Sequence, residues 1–403
     1  MSERWLKVIG IGDDGCAGLS PAARALVDAA DIVVGGERHL AFLSDGRAER
    51  HPWTSPLSDM VERLKDWQGR SVVVLATGDP MWFGIGATLR RVFSADDMLI
   101  VPSPSAFSLA ASRLGWSLDQ CETMTLHGRP LDLLNARLYP GARILALTAD
   151  ETTPKAVADR LVELGYGDAR LTVLDHMGGD REEVQTSAAS AFAFDVTPFN
   201  TLAIQCPADA PFHSRCPGLP DEAFSHDGKM TKQEVRAATL ARLKPYPGAC
   251  LWDVGAGCGS IAIEWMRAAH RASAIAIEPL EKRRAMILEN AATLGAPGLE
   301  VVTGRAPEAL DGLKQPDAVF IGGGLSFETV ELCQDRLRPG GVLVANAVTL
   351  ESETVLLECF NRFGGELSRI AVSRAEPVGP FHGWRPFMPV TQWQLTKPHV
   401  NRS

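Results

Sequence analysis

The sequence predicts an α/β protein of two domains. Apolar runs of strand length alternate with amphipathic helical patterns along most of the chain, which is typical of βαβ units and parallel sheets. A proline-rich stretch interrupts this alternation, because proline lacks a backbone N–H and restricts the residue before it. At 403 residues the chain also exceeds most single domains. We therefore expect a first domain over 1–205, a linker over 206–223 and a second domain over 224–403.

Composition narrows the class of protein. The chain is 45% hydrophobic and 22% charged, as ordinary globular proteins are, and no apolar run reaches the length of a membrane helix. Residues 1–4 lead directly into a strand pattern instead of a signal-peptide core, so we expect a cytoplasmic protein. The net charge of −9 disfavours a polynucleotide substrate. The eight cysteines form no CxxC pair, so we predict reduced thiols and no metal site.

The first half of the chain predicts two lobes, about 1–114 and 115–205, with a cleft between them. The expected strands are Leu6–Ile11, Ile32–Val34, Ser71–Ala76, Met98–Val101, Arg143–Leu147, Arg170–Leu174 and Thr201–Gln205. The expected helices are Pro21–Ala30, Pro56–Trp67, Gly84–Phe93, Ser105–Leu114 and Pro154–Leu164. A change of pattern near Gly115–Leu126 separates the lobes.

The second half predicts a regular sheet. The expected strands are Cys250–Val254, Ala274–Glu278, Glu300–Thr303, Ala318–Ile321 and Gly341–Ala345, with helices at Ser260–Ala269, Leu280–Leu294, Phe327–Leu337 and Ser352–Phe363. A final pair, Leu367–Ser373 and Pro389–Leu395, predicts a hairpin. The result is five parallel strands closed by an antiparallel pair.

The sharpest motif is LWDVGAGCGS, a buried strand that ends in a glycine turn and opens a helix. Gly255, Gly257 and Gly259 let the backbone approach a cofactor, and the helix N-terminus supplies free N–H groups. The next strand ends at Glu278, whose carboxylate can accept hydrogen bonds from both hydroxyls of a ribose. NAD binding stays open as an alternative, although the spacing is GxGxG and not GxGxxG.

A capped helix is predicted just upstream of this motif. In DGKMTKQEVRAATLARL, Thr231 and Glu234 have capping-box spacing, so the threonine is expected to cap the helix. The segments GRAPEAL, DAVFIGGG and LRPGGVLVANAVTLES follow further along the chain.

Together these motifs resemble the class I S-adenosylmethionine (SAM) methyltransferases, and in particular the CbiT type of the cobalamin pathway, across 224–397. The resemblance implies a Rossmann-like fold that binds SAM through the three glycines, Glu278, Thr231 and Ala306, with Asn346 contacting the substrate. Gly322–Gly324 replaces the [DN]PP[YF] box with which amino-group methylases hold a nitrogen nucleophile. Methylation of carbon is therefore favoured over methylation of a base amine.

The first half carries its own set of glycine motifs. VIGIGDDG, LATGDPMWFGIG, VPSPSAFSLAASRLG, LHGR and LDHMGGDREEV together resemble the CbiE type of tetrapyrrole methylase across 5–205. The resemblance implies the two-lobed tetrapyrrole-methylase fold, with SAM in the cleft. The implied SAM contacts are Gly12, Gly78, Asp79, Ser105 and Ala106.

Four residues of this half stand out individually. Asp13 stands where that family usually has proline, so we expect a more mobile loop. For Asp79, an Asx-turn role that only shapes its own loop is an equally good alternative. His127 and Arg129 are candidate grips for substrate carboxylates, because the guanidinium fork matches a carboxylate.

The two resemblances together imply the function. They imply SAM-dependent methylation of a precorrin at meso carbons 5 and 15, with loss of CO₂ from the ring C acetate and one SAM site in each domain. They also imply a small tetrapyrrole partner, a homo-oligomer, and neither nucleic acid nor membrane as partners. Two alternatives remain: an RNA methyltransferase, and a protein that binds SAM without turnover.

Overall fold

The computed structural model describes residues 4–399, so the start of the first predicted domain (residues 1–3) and the end of the second (residues 400–403) lie outside the described residues. The chain divides into two compact units. Unit 1 runs up to Arg129 and resumes over Tyr139–Pro211, and unit 2 comprises Pro130–Leu138 and the chain from Phe212 onward. Among residues 4–399, no helix is long and apolar enough to cross a membrane.

The first sheet of unit 1 is fully parallel. Its strands are β1 (Leu6–Ile11), β2 (Ile32–Gly35), β3 (Glu49–Pro52), β4 (Val72–Thr77) and β5 (Met98–Val101), in the order β3-β2-β4-β1-β5. The helices are α1 (Pro21–Asp28), α2 (Glu37–Ala41), α3 (Leu57–Asp66), α4 (Ile85–Leu89) and α5 (Ala106–Leu114). Alternate residues of β4 enter two separate apolar cores, which explains its unbroken apolar sequence.

The second sheet of unit 1 is mixed. Its strands are β6 (Glu122–Thr125), β7 (Arg143–Leu147), β8 (Arg170–Asp175), β9 (Glu183–Ala188) and β10 (Asn200–Gln205), in the order β6-β7-β10-β8-β9, with α6 at Thr153–Glu163. The sequence did not predict β3, β6 or β9. All three are edge strands, and β3 and β9 are largely exposed and polar, so they lack the apolar pattern of the inner strands.

Unit 2 contains the predicted sheet. In chain order its elements are α7 (Gln233–Leu243), β11 (Cys250–Val254), α8 (Ser260–Ala268), β12 (Ser273–Ile277), α9 (Glu281–Thr293), β13 (Glu300–Val302), β14 (Ala318–Ile321), α10 (Phe327–Arg336), β15 (Val342–Ala347), α11 (Leu350–Phe363), β16 (Glu366–Ile370), β17 (Ser373–Val378), β18 (Phe381–Pro386) and β19 (Val390–Thr396). The sheet order is β13-β12-β11-β14-β15-β19-β16, and β19 is antiparallel to both of its neighbours, β15 and β16. Five parallel strands closed by an antiparallel pair are thereby confirmed.

The closing pair differs from the prediction in its connection. The expected hairpin loop holds a further two-stranded sheet, β17 paired with β18. Helices α7, α8 and α9 cover one face of the seven-stranded sheet, and α10 and α11 cover the other. This layering exposes the carboxyl ends of β11, β12, β14 and β15 along one edge.

The proline-rich stretch is only partly a free linker. Residues 211–216 are exposed, whereas Leu219 and Asp221 are buried in unit 2. A second segment, Pro130–Leu138, also packs into unit 2 although the chain around it belongs to unit 1. There Asn135 donates hydrogen bonds from Nδ2 to the carbonyls of Ala292 (3.0 Å) and Thr293 (3.2 Å) at the end of α9.

Candidate functional sites

One row of residues crosses the carboxyl edge of the sheet in unit 2. Val254 pairs with Ile277 and Ile321, and Ile321 pairs with Ala345. The residues that follow these positions are Glu278, Gly255, Gly322 and Asn346, and Asn346 pairs in turn with Gln392. In open α/β sheets, ligands bind in the crevice outside these strand ends.

The glycine loop after β11 packs tightly against the glycine loop after β14. A Cβ on Gly255 would lie 2.6 Å from Cα of Gly323, so the loop after β11 needs glycine here, whereas a Cβ on Gly323 would meet Gly255 at an ordinary contact distance of 3.6 Å. Gly257 has φ +61°, a conformation that side chains disfavour, and its N–H points to Glu278. Gly259 precedes the first turn of α8. The close approach gives a physical reason for Gly255.

Glu278 is buried and already holds the loop. Its Oε2 accepts a hydrogen bond from the N–H of Gly257 (2.9 Å), and its Oε1 accepts one from Leu280 (3.0 Å). Each carboxylate oxygen has a second lone pair available for a ligand hydroxyl. The predicted contact with a ribose therefore stays a prediction, and any loss of Glu278 also releases the glycine loop.

Asp253 is a buried acid that the sequence argument did not single out. Its Oδ2 accepts a hydrogen bond from the N–H of Ala262 (3.1 Å), and its Oδ1 has no hydrogen-bond partner among residues 4–399. Burial, assisted by the nearby Glu278 carboxylate, raises the pKa of Asp253 to about 7. The available signal was a lone acid inside a buried strand, two residues before the first glycine.

The predicted cap at Thr231 is wrong. Helix α7 begins at Gln233, and Lys232 is its N-cap residue, without a side-chain cap. Glu234 does not complete a capping box, because it pairs with Arg374 at 2.8 Å. The carbonyl oxygen of Thr231 instead accepts a hydrogen bond from the buried guanidinium of Arg236 (2.6 Å). Tertiary charge pairing has overridden the local capping pattern.

The other predicted residues of unit 2, Ala306 and Asn346, lie after β13 and near the end of β15. Ala306 follows β13 and packs, partly buried, against the core beneath α10 and α11. Asn346 is half-buried near the end of β15, where its side chain contacts Thr239 and Gln392. Their roles toward ligands stay predictions.

In unit 1 the loop after β4 lies against the start of α5. The N–H of Ser103 donates to the carbonyl of Gly78 (3.2 Å), and a Cβ on Gly78 would meet the carbonyl of Pro104 at 3.0 Å. Ser105 caps α5 by accepting from the N–H of Ser108 (3.1 Å), and Ala106 is the first residue of the helix. The structure thus brings Gly78, Ser105 and Ala106 together.

A cavity of about 270 Å³ opens beside this loop. The lining includes aromatic and small residues together with three of the predicted site residues: His39, Trp53, Leu75, Ala76, Thr77, Asp79, Trp82, Phe83, Gly84, Ile85, Ser105, Ala106, Phe107 and Leu147. Asp79 forms the Asx turn by accepting from the N–H of Met81 (2.8 Å), and it also lines the cavity. Shaping its own loop and facing a ligand in the cavity are therefore compatible roles for Asp79.

His39 is a cavity residue that the sequence argument missed. It is buried, and its Nε2 lies 3.0 Å from the hydroxyl of Thr77. Burial, followed by the charge of Arg38, lowers the pKa of His39 to about 4, so the ring is neutral at pH 7. Its Nδ1 has no hydrogen-bond partner within the described part of the chain.

The expectation of a mobile loop at Asp13 is wrong. The buried carboxylate of Asp13 contacts the guanidinium of Arg38 through Oδ1 and Nδ1 of His176 (2.8 Å) through Oδ2. Arg38 also stacks on Phe199, 3.5 Å from the ring centroid. Because Asp13 follows β1 and His176 follows β8, the carboxylate joins the two sheets of unit 1.

The remaining candidates of unit 1 lie elsewhere. His127 and Arg129 are exposed on the turn after β6, outside the residues that line the cavity. Gly12 lies in the turn after β1, where a Cβ would meet the carboxylate of Asp14 at 2.6 Å. The structure does not bring these three residues to the cavity beside Gly78.

Two known families match the two halves of the chain. Residues 6–192 match the family of tetrapyrrole (corrin/porphyrin) methylases, and residues 222–397 match the precorrin methyltransferase domain. A Sinorhizobium precorrin-6Y C(5,15)-methyltransferase (decarboxylating) is 50% identical over 400 residues, covering 98% of this chain and 96% of the relative. The chain belongs to the precorrin-6Y C(5,15)-methyltransferase family.

Two shorter relatives resemble parts of this family member. Cobalt-precorrin-7 C(5)-methyltransferase of Salmonella typhimurium is 27% identical over 190 residues, which is 47% of this chain and 94% of the relative. A probable cobalt-precorrin-6B C(15)-methyltransferase (decarboxylating) of Sulfurisphaera tokodaii is 32% identical over 175 residues, which is 42% of this chain and 91% of the relative. This chain is therefore about as long as these two relatives combined.

Proposed function

We propose that this chain methylates a precorrin at meso carbons 5 and 15, with SAM as donor, and releases the ring C acetate carboxyl group as CO₂. The observation that carries the proposal is the 50% identity, over nearly the whole chain, to a decarboxylating precorrin-6Y C(5,15)-methyltransferase. Two separate glycine-loop arrangements, one in each unit, support one SAM site per unit.

We assign carbon 5 to unit 1, and carbon 15 with decarboxylation to unit 2. The alignment to the C(5) relative spans 190 residues, close to the length of the tetrapyrrole methylase match over 6–192. The alignment to the decarboxylating C(15) relative spans 175 residues, close to the length of the match over 222–397. This agreement in length supports the assignment.

The residues at each site fit SAM. In unit 2 the glycine loop leaves backbone room, the N-terminus of α8 offers free N–H groups, and Glu278 retains lone pairs for hydroxyls. In unit 1 the close approach of Gly78 to Ser105 and Ala106 forms one wall beside the apolar cavity. SAM supplies a methyl group on a sulfonium, which a carbon nucleophile can attack directly.

This chemistry asks the protein mainly for alignment. A reduced tetrapyrrole is enamine-like at its meso carbons, so the acceptor needs no protein nucleophile. In unit 2 the glycine loop and the end of β15 belong to one row at the carboxyl edge of the sheet, so donor and acceptor would meet in the crevice beyond these strand ends. Excluding water from the reacting groups would favour the transfer.

Decarboxylation uses the substrate itself as the electron sink. The bond between the acetate methylene and its carboxyl carbon breaks, its electron pair enters the conjugated macrocycle, and CO₂ leaves. A proton then returns to the methylene, which becomes a methyl group. The protein's part is to hold the acetate in a less polar pocket and to supply that proton.

Incubation of the purified protein with a reduced precorrin and methyl-labelled SAM tests the proposal. We expect mass spectrometry to show two added methyl groups and one lost CO₂. SAM binding without turnover would instead support the SAM-binding alternative, and salt-sensitive retention of RNA would support the RNA methyltransferase.

We further propose a cytoplasmic homo-oligomer with neither nucleic-acid nor membrane partners, on the expectations from the sequence. Light scattering after size-exclusion chromatography measures the oligomeric state. A monomeric mass at micromolar concentration would contradict that part of the proposal.

A further inference from the structure

A buried polar triad lies at one end of the residue row in unit 2. It consists of Thr239 on α7, Gln392 on β19 and Asn346 on β15. Thr239 and Gln392 are fully buried, whereas Asn346 is half-buried. A polar group buried this deeply costs stability unless its hydrogen bonds are satisfied, so the triad needs an explanation.

The number of hydrogens available to donate determines the orientation of the side-chain amides of Asn346 and Gln392. The single hydroxyl hydrogen of Thr239 is donated to the carbonyl of Val235 (2.8 Å). Its oxygen can therefore only accept, and it accepts from Nδ2 of Asn346 (3.1 Å) and Nε2 of Gln392 (3.0 Å). Gln392 uses its second N–H on Oδ1 of Asn346 (2.9 Å).

The reverse orientation of the amides is unfavourable. It would turn the oxygens of Asn346 and Gln392 toward the oxygen of Thr239, which has no hydrogen to give while it donates to Val235. The orientation described leaves Oε1 of Gln392 without a partner among residues 4–399. Leaving this buried oxygen without a partner lowers the stability of the fold, and the same arrangement holds Asn346 in place.

Asn346 has hydrogen-bonding capacity left over. One of its two amide hydrogens goes to Thr239, so one N–H and one lone pair on Oδ1 remain for another group. Asn346 lies two strand spacings from Gly255 in the row, roughly 10 Å at ordinary strand spacing, with Gly322 after the strand between them. The remaining N–H therefore lies at the carboxyl edge of the sheet, where ligands of open α/β sheets bind.

We propose that Thr239 and Gln392 are positioning residues that orient Asn346 so that its free N–H binds a carboxylate of the precorrin in the second site. The inference rests on the proposed function and adds how unit 2 recognises its substrate. A neutral amide suits the acetate that departs as CO₂, because it orients the carboxylate without the strong charge stabilisation that an arginine gives.

Four variants of the full chain test the positioning role. Thr239→Val removes the acceptor at nearly constant volume, Thr239→Ser retains the hydroxyl, and Gln392→Leu removes the amide. Gln394→Leu is the matched control, because Gln394 lies on the same face of β19 but accepts from Arg242 (3.0 Å). The readouts are KM for the precorrin and kcat for CO₂ release, with SAM binding by calorimetry and the melting temperature alongside.

We expect Thr239→Val and Gln392→Leu to raise KM for the precorrin roughly tenfold, as the loss of a hydrogen bond to a charged group predicts. Thr239→Ser and Gln394→Leu should stay within about twofold of the parent protein, and all variants should retain SAM binding, because none of these side chains contacts the glycine loop. A lowered melting temperature with unchanged KM in both triad variants would overturn the positioning role.

Asn346→Asp tests the contact itself, since it replaces the free N–H by an oxygen with little change of shape. We expect KM for the precorrin to rise at least tenfold while SAM affinity is retained. An unchanged KM would overturn the proposal, as would loss of SAM affinity, which would assign the N–H to the cofactor. If the parent protein itself released no CO₂, the proposed function would fail instead.

Discussion

Replacing Asp253 by asparagine should make unit 2 less sensitive to alkaline pH. The carboxyl group has a pKa of about 7 in the folded protein, against an ordinary value of 3.8. A difference of about three units corresponds to about 4 kcal/mol at 1.36 kcal/mol per unit. Because the folded state binds the proton more tightly, this stability is fully present below pH 3.8 and is lost as pH rises through about 7.

Asparagine at this position cannot ionise, and its Oδ1 can still accept from the N–H of Ala262. Its amide nitrogen then occupies the place of the unpartnered Oδ1 and carries two unmet N–H donors, one more than the protonated carboxyl of the parent, at a cost of about 1–3 kcal/mol. The variant should therefore be less stable than the parent near pH 4 and equal or more stable at pH 8.5. The crossing of the two pH curves is the expected signature.

Hydrogen exchange of β11 and β12, followed by mass spectrometry from pH 4 to 8.5, reports on unit 2 within the full chain. Asp317→Asn is the control at the other end of β11. That carboxylate accepts from Tyr246 (2.8 Å), from the N–H of Cys250 (2.8 Å) and from Arg338 (3.0 Å). Its amide should be destabilising at every pH. Parallel pH curves for Asp253→Asn and the parent would refute the reasoning.

Three further substitutions have defined outcomes. Glu278→Ala should weaken SAM binding in unit 2 by about 1–3 kcal/mol and leave one strong SAM site per chain in calorimetry; two unchanged sites would remove Glu278 from the site. Gly257→Val places a side chain on a residue with φ +61°, which side chains disfavour, and should block the second site in a folded protein. We expect mass spectrometry to show one added methyl group, at carbon 5, and no loss of CO₂. Persisting CO₂ release would assign decarboxylation to unit 1. The free energy of unfolding of unit 1 should fall by about 3 kcal/mol as pH falls from 6.5 to about 4, because the unfolded state protonates His39 at a higher pH than the folded state does. In urea titrations, His39→Asn should abolish this loss. An equal loss in the variant would contradict the prediction.

Sequence patterns predicted the inner strands because those strands are buried on both faces. Alternating cores on the two sides of β4 leave no polar position, so the strand is an unbroken apolar run. Edge strand β9, with the sequence EVQTSA, has no such pattern, and its pairing with β8 depends on backbone bonds that the sequence does not display. The prediction therefore succeeded where burial, and not pairing, determines the residues.

The site residues that sequence patterns predicted were likewise those whose residue type is restricted locally. The glycines were recognisable because close backbone approach restricts the residue type, as at Gly255. Asp13 was misjudged because its partners, Arg38 and His176, are remote in sequence. Thr239 and Gln392 carried no local signal, since each looks like an ordinary polar residue until the sheet brings them to Asn346.

The segment Pro130–Leu138 determines how the two halves can be separated. Nine residues enclosed by unit 1 sequence complete the surface of unit 2 at the end of α9, where Gly295 lies so close that a Cβ would meet the N of Ala136 at 2.4 Å. A single cut within 211–216 therefore yields an N-terminal piece that still holds a part of its neighbour. In the C-terminal piece, the carbonyls of Ala292 and Thr293 at the end of α9 then lack their donor Asn135. Separating the two units therefore takes more than a cut, because the nine residues Pro130–Leu138 must also be moved to the C-terminal piece.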